Sequence, residues 1–273
     1  MHTLYIVPTP IGNLEDITLR ALRILNEVSL IAAEDTRTSR VLLDHYQIKT
    51  PLTSYHEYNK LDKLDVLRSA LLSGDVALIS DAGTPGISDP GYELITTAQR
   101  EGFQVVPLPG ANAVITALVG SGLPTDSFIF LGFLPKKDQA RRTLLESLKT
   151  TPRTLIVYEN PYRLADTLHD VASIFGADRT VCIAREISKK FEEFYRTTAQ
   201  EATERYRQED PKGEVTLVIR GASEEALIWD EARVRATLTT LLEQGETLNQ
   251  AAKEVARLSN WKKRDIYALG QVE

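Results

Sequence analysis

The chain is short of the residues that usually announce chemistry. It has one cysteine, Cys182, in 273 residues. A lone cysteine excludes a disulfide framework, and inside the apolar run from Thr180 to Ala184 it reads as a core residue in a reducing compartment. The four histidines, His2, His45, His56 and His169, show no metal-ligand spacing, so a metal-dependent hydrolase is disfavoured and no metal site is expected. Neither a G-x-x-x-x-G-K-[ST] loop nor a G-x-G-x-x-G between strand and helix is present, which disfavours ATP and NAD. No apolar run approaches the ~18 residues of a membrane span. The start, Met-His-Thr-Leu-Tyr, lacks a basic stretch. The expectation is a soluble, cytoplasmic protein with no membrane partner. A net charge of −6 gives no global attraction for nucleic acid, so any polyanion site has to be a local patch.

What is present is a globular composition, 42% apolar and 26% charged, with length for one large domain or two ordinary ones. The chain is organised around the stretch from Val76 to Gly91. It opens with a buried-strand run, Val76 to Ile79, and continues into a turn carrying Asp81, Gly83, Pro85, Gly86, Pro90 and Gly91. Glycine admits positive φ and close approach to a ligand, and proline stiffens the turn. The device recurs. Thr3 to Val7 runs into Pro8-Thr9-Pro10-Ile11-Gly12-Asn13, and Val105 to Leu108 into Pro109-Gly110-Ala111-Asn112. Three such loops suit a small-molecule crevice at the carboxyl edge of an α/β sheet.

Strands and helices alternate around these loops, which predicts a mainly parallel sheet covered on both faces. Asp16 is expected to cap the first helix and Gly74 to end the third as a C′ residue. After a composition shift at Gly120 to Pro124 the pattern resumes, and Phe191 to Thr198 fits an antiparallel strand. The reading is two α/β domains, 1–115 and 116–222, meeting at a cleft. A helical, helix-turn-helix-like tail, 227–273, follows; packing or dimerisation is its other reading.

With these loops in hand, the chain resembles the tetrapyrrole methylase superfamily of S-adenosylmethionine-dependent methyltransferases. The likeness is carried by Tyr5 to Leu14, Ala32-Ala33-Glu34-Asp35-Thr36-Arg37, Ser80 to Gly91 and Val106-Pro107-Leu108-Pro109-Gly110. Gly132-Phe133-Leu134-Pro135, Tyr158-Glu159, Ala184-Arg185-Glu186 and Lys212-Gly213-Glu214 complete it, in order along almost the whole chain. Within the superfamily it is most similar to the branch that methylates the 2′-hydroxyl of a cytidine in small-subunit ribosomal RNA. The resemblance implies two α/β domains of this type, S-adenosylmethionine in the cleft, ribosomal RNA as partner, and a homodimer. Carried over by position, it implies cofactor contacts from Ile11, Asp81, Gly83, Gly86, Ala113 and Val114, with Tyr158, Ala184, Val215 and Thr216 closing the pocket. A tetrapyrrole C-methyltransferase, a protein-modifying transferase and a non-catalytic nucleotide-binding scaffold are the competing readings.

A ribose hydroxyl is a poor nucleophile unless its proton is taken up. Glu34, Asp35, Glu159 and His56 are the candidate bases, though Asp35, followed by Thr36-Arg37, also reads as a helix N-cap. Asp81 reads as a ligand contact or as a loop cap. For the RNA, Lys136, Lys137, Arg141 and Arg142 form the favoured basic cluster. Arg163 and the tail triplet Lys262, Lys263 and Arg264 are further candidates. Lys189-Lys190 reads as a solvated charged face.

Overall fold

Apolar runs punctuated by proline and glycine become strands, and the amphipathic segments between them become helices. The structure, a computed structural model, describes residues 2–209, 211–223, 229–259 and 261–271. Strands β1 (Thr3–Ile6), β2 (Leu30–Ala33), β3 (Leu52–Ser54), β4 (Val76–Ile79) and β5 (Gln104–Pro107) pair in parallel in the order β3-β2-β4-β1-β5. Successive side chains alternate between faces, and both faces are apolar. Ile31, Ala33, Ala77 and Ile79 pack with α1 (Leu19–Glu27) and α2 (Thr36–His45). Leu4, Ile6, Val76 and Leu78 pack with α3 (Lys60–Ser73) and α4 (Tyr92–Arg100).

This order sets β4, β1 and β5 side by side, so the loops that follow them leave the sheet together. Thr9 and Gly83 exchange both backbone hydrogen bonds at 2.9 Å. Gly110 lies so close to Pro8 that a Cβ there would stand 2.6 Å from the proline Cβ. The crevice is thus built from backbone contacts between loops far apart in sequence.

Two expectations at helix ends are corrected. Asp16 does not cap α1, because Leu14–Asp16 forms a 3-10 turn of its own, capped by Asn13. Thr18 caps the helix instead, accepting the Ala21 N–H at 3.0 Å. Gly74 follows α3 with extended backbone, φ −178°, and not in the left-handed conformation of a C′ glycine. Crowding requires glycine there, since a Cβ would stand 2.7 Å from Ser29 Oγ.

The second sheet joins β6 (Phe128–Phe133), β7 (Thr154–Glu159), β8 (Thr180–Arg185), β9 (Glu193–Thr198) and β10 (Val215–Ile219) in the order β6-β7-β10-β8-β9. The β6–β7 pair is parallel; the other three are antiparallel. Leu155, Val157, Val181 and Ile183 face α6 (Asp138–Leu148), α7 (Leu164–Phe175) and α8 (Ala199–Gln208). The opposite face, with Ile156, Cys182 and Val218, packs against α5 (Ala113–Ser121). So α5 follows the last strand of the first sheet but covers the second, and a cut at residue 115 divides it. Gly120 permits the approach, because a Cβ there would collide with the Phe194 ring on β9.

Helices Glu231–Glu243, Leu248–Ser259 and Lys263–Leu269 pack on one another around Val234, Leu238, Ala251, Val255 and Ile266. Trp261 Nε1 donates to the Trp229 carbonyl at 2.6 Å and closes this bundle. The expected limits of the tail, Leu227 and Glu273, lie outside the described residues.

Candidate active site

The loops after β1, β4 and β5 face the second sheet across a cleft of about 420 Å³, a size typical of small-molecule sites. Ile11, Asp81, Gly83 and Ala113 line it from one side, and Tyr158, Val215 and Thr216 from the other. Gly83 and Gly86 hold φ of +80° and +83°, the left-handed region that favours glycine. Gly86, Val114 and Ala184 do not line the cleft. Val114 and Ala184 are buried where α5 meets the second sheet. Gly86 sits behind the loop, with Gly91 against it. Tyr158 stands edge-on to Phe130, ring centroids 4.9 Å apart, and burial pushes its hydroxyl up to about 12.

The floor of the cleft is acidic. The Asp81 N–H donates to Glu34 Oε2 at 3.3 Å, and Asp81 Oδ1 accepts the Asp35 N–H at 3.0 Å, so the ends of β2 and β4 are laced together. Burial raises Glu34, helped by the Asp81 carboxylate. Loss of water raises Asp81, with Asp35 adding to it. Asp89 joins them from inside the organising stretch, a position for which the sequence predicts no role. Burial pushes it up to about 6, with repulsion from Glu34 as the next cause. Its signal was an acid just before Pro90 in a loop already read as ligand-binding. Among the described residues no His, Cys, Asp and Glu group is arranged to hold a metal ion.

The four candidate bases separate. Glu34 lines the cleft and also a neighbouring concavity of about 430 Å³ above the ends of β2 and β3. His56 lines only that concavity. Asp35 is corrected to a cap: Oδ1 accepts the Arg37 N–H at 2.8 Å, and the Arg37 guanidinium grips both oxygens at 3.1 and 2.7 Å. These bonds hold its carboxyl at about 2, so it accepts a proton poorly at neutral pH. Glu159 lines the cleft as well, and its carboxylate also serves as an anchor. It is 2% exposed and accepts from Arg163 Nη2 and Thr167 Oγ1, both at 2.6 Å, and from the Asn160 N–H at 2.7 Å. That network pins the turn between β7 and α7.

Several basic residues expected at RNA are engaged inside the fold. Arg141 is 3% exposed, bonded to Asp170 at 2.8 Å and to Asp138 at 3.1 Å. Arg142 reaches the same Asp170 at 2.5 Å. Arg163 is tied to Glu159 and donates to the Leu134 and Pro135 carbonyls. A buried carboxylate needs a paired cation, and these arginines meet that need inside the fold. Lys136 and Lys137 remain exposed, as do Lys262, Lys263 and Arg264 in the tail. Lys189, read as a solvated charge, is paired with Glu186 at 2.9 Å and Glu214 at 3.1 Å.

Known proteins agree with this architecture. Residues 3–203 match the family of tetrapyrrole (corrin/porphyrin) methylases. A Halalkalibacterium halodurans protein named ribosomal RNA small subunit methyltransferase I is 49% identical over 270 residues, covering 97% of this chain and 93% of that one. Relatives of the same name from Synechocystis and Bacillus subtilis are 46% and 43% identical, covering 98% of this chain and 97% and 93% of theirs. Among solved structures, a cobalamin biosynthetic enzyme, cobalt precorrin-4 methyltransferase, superposes with TM-score 0.62 at 15% identity, over 80% of this chain and 94% of that one. Uroporphyrin-III-C-methyltransferase from Thermus thermophilus does so with TM-score 0.55 at 18% identity, with the same coverages. The chain therefore belongs to the tetrapyrrole (corrin/porphyrin) methylase family and is a methyltransferase.

Proposed function

We propose that the chain uses S-adenosylmethionine to methylate the ribose 2′-hydroxyl of a cytidine in small-subunit ribosomal RNA. The observation that carries this is identity of 43–49% along nearly the whole length of relatives named ribosomal RNA small subunit methyltransferase I. The cytidine and the ribose oxygen come from the motif resemblance. The homodimer does too, and sedimentation at micromolar concentration is its check; the cytoplasmic setting rests on the lone Cys182.

The cleft suits the cofactor on its own chemistry. S-adenosylmethionine is a net cation, and Glu34, Asp81 and Asp89 make one wall negative. Backbone at Gly83 is bare, the nearest atoms to a Cβ there being Ile11 Cγ2 at 3.5 Å and the Ala111 carbonyl at 3.9 Å. Ile11, Gly83 and Ala113 would hold the cofactor from one side and Tyr158, Val215 and Thr216 from the other. When bound, it supplies an electrophilic methyl on sulfur. The protein's work is alignment and exclusion of water, with the apolar faces of Ile11, Tyr158 and Val215 serving the second task. Glu34 borders both the cleft and the adjoining concavity, which supports it as acceptor of the hydroxyl proton. A carboxylate raised by burial is a better acceptor than an ordinary one.

The test is to map ribose methylation on small-subunit RNA from cells lacking and re-expressing this protein. A 2′-O-methylcytidine that disappears and returns is the expected result. Unchanged RNA, with methyl transfer to a tetrapyrrole in vitro, would replace this reading with the C-methyltransferase. Cofactor binding without any transfer would favour the scaffold.

A further inference from the structure

The concavity beside the cleft has a lining unlike that of the cleft. Glu34 and Asp81 form the wall the two share. The outer wall is formed by Arg37, His56 and Tyr58. Tyr58 is 96% exposed, an unusual setting for a ring of that size. The His56 ring stands 6.2 Å from it, centroid to centroid, and Nδ1 of His56 is buried with no hydrogen-bond partner among the described residues.

The outer wall is held in place in advance. The His56 N–H donates to Asn59 Oδ1 at 2.8 Å, and the Asn59 N–H returns a bond to the His56 carbonyl at 3.0 Å. Lys60 clamps Glu57 at 2.8 Å and Glu93 at 2.6 Å, tying this turn to α4. Asp35 grips Arg37 through Nε and Nη2, which leaves Nη1 without a partner among the described residues. The Arg37 side chain is 90% exposed. An exposed arginine fixed by a neighbour presents its free edge at low entropic cost.

We propose that this concavity seats the acceptor nucleotide, its base stacked on Tyr58, its adjoining phosphate on Arg37 Nη1, and its ribose turned toward Glu34 and Asp81. The proposal rests on the RNA-methylating function above and adds a substrate site to it. Three features favour an unstacked ribonucleotide over other ligands. An open aromatic face takes any base, and a splayed-out base is the usual target of single-strand recognition. The unpartnered Nη1 of the exposed Arg37 supplies the cation that a nucleotide's phosphate needs. The acids exclude phosphate from the inner wall but accept hydrogen bonds from ribose hydroxyls, so the nucleotide enters sugar first. That orientation delivers the ribose to the boundary shared with the cofactor cleft.

The test uses the full-length protein with Tyr58→Ala, Tyr58→Phe and Arg37→Gln. Two probes serve: deproteinised small-subunit RNA and purified small subunits, both from cells lacking the enzyme. Tyr58→Ala should raise KM for RNA about 10-fold, the scale of one lost base–aromatic stack. Tyr58→Phe, which keeps the ring, should recover most of that loss. Arg37→Gln should reduce the salt slope of RNA binding by about one. Affinity for S-adenosylmethionine, measured by calorimetry, should stay within about twofold in all three. Wild-type protein that methylates neither probe overturns the functional reading and this site with it. Wild-type activity with unchanged KM in Tyr58→Ala and an unchanged salt slope in Arg37→Gln overturns the site alone.

Discussion

Arg141 and Asp170 meet at 2.8 Å beside the second sheet, an arginine from α6 and an aspartate from α7, both almost fully buried. Arg141→Ala should therefore lose about 3 kcal/mol of stability, because it leaves a carboxylate buried with one partner fewer. Chemical denaturation is the measurement. A change below half a kilocalorie would mean that Arg142 alone satisfies Asp170.

Lys136 and Lys137 should behave in the opposite way. Both are exposed at the start of α6. Replacing both with Gln should leave stability within about 0.5 kcal/mol. It should weaken RNA binding and lower its salt slope by about two. Filter binding between low and moderate salt reads this directly, and an unchanged slope returns the pair to an ordinary solvated surface.

Asp89 makes stability depend on pH in a direction opposite to a salt-bridged acid. Its carboxyl is raised from 3.8 to about 6 in the folded chain, mainly by burial. The folded state thus binds this proton more tightly than the unfolded one, and stability from it is lost as pH rises through about 6. Asp89→Asn should have a higher Tm than wild type at pH ~8, and the gain should vanish below pH ~4. Tm measured across that range checks it; a gain that grows toward acid pH would reverse the sign.

The two glycines of the crevice should tolerate alanine unequally. At Gly83 a Cβ would make ordinary contacts, so Gly83→Ala costs mainly the positive φ, about 1 kcal/mol. At Gly110 the obstacle is the rigid Pro8 ring 2.6 Å away. Displacing it moves the loop after β1, so Gly110→Ala should cost about 2 kcal/mol and lower cofactor affinity more than Gly83→Ala does. Equal effects would show that the loop after β1 is free to shift.

The crevice was legible because proline and glycine punctuate local structure, and the three loops carry them in abundance. Which loops touch was not. That depends on β1 lying between β4 and β5, a pairing no local pattern announces. Charge was the least legible part. Arg141 and Arg142 look like a surface patch beside Lys136 and Lys137, and only the fold brings Asp170 to them from 29 and 28 residues away. Asp35 and Glu159 share that history, since whether a carboxylate is free depends on partners set by turn geometry. The allegiance of α5 was hidden for another reason. Ala113–Ser121 is apolar almost all round, and periodicity cannot say which sheet such a helix will cover.

The position of α5 has a consequence for the newborn chain. This helix leaves the ribosome with the first sheet complete, yet β7, β8 and β10, on which it packs, are still to be made. Until Val215–Ile219 emerges, its greasy surface has no home in the finished half of the molecule. A released fragment ending at residue 122 should accordingly recruit a hydrophobic dye or a chaperone, while one ending at residue 112 should not. Equal capture of both would mean that α5 shelters for a time against the first sheet. The helix is a loan from the first half of the chain to the second, outstanding for most of the time the second takes to be synthesised.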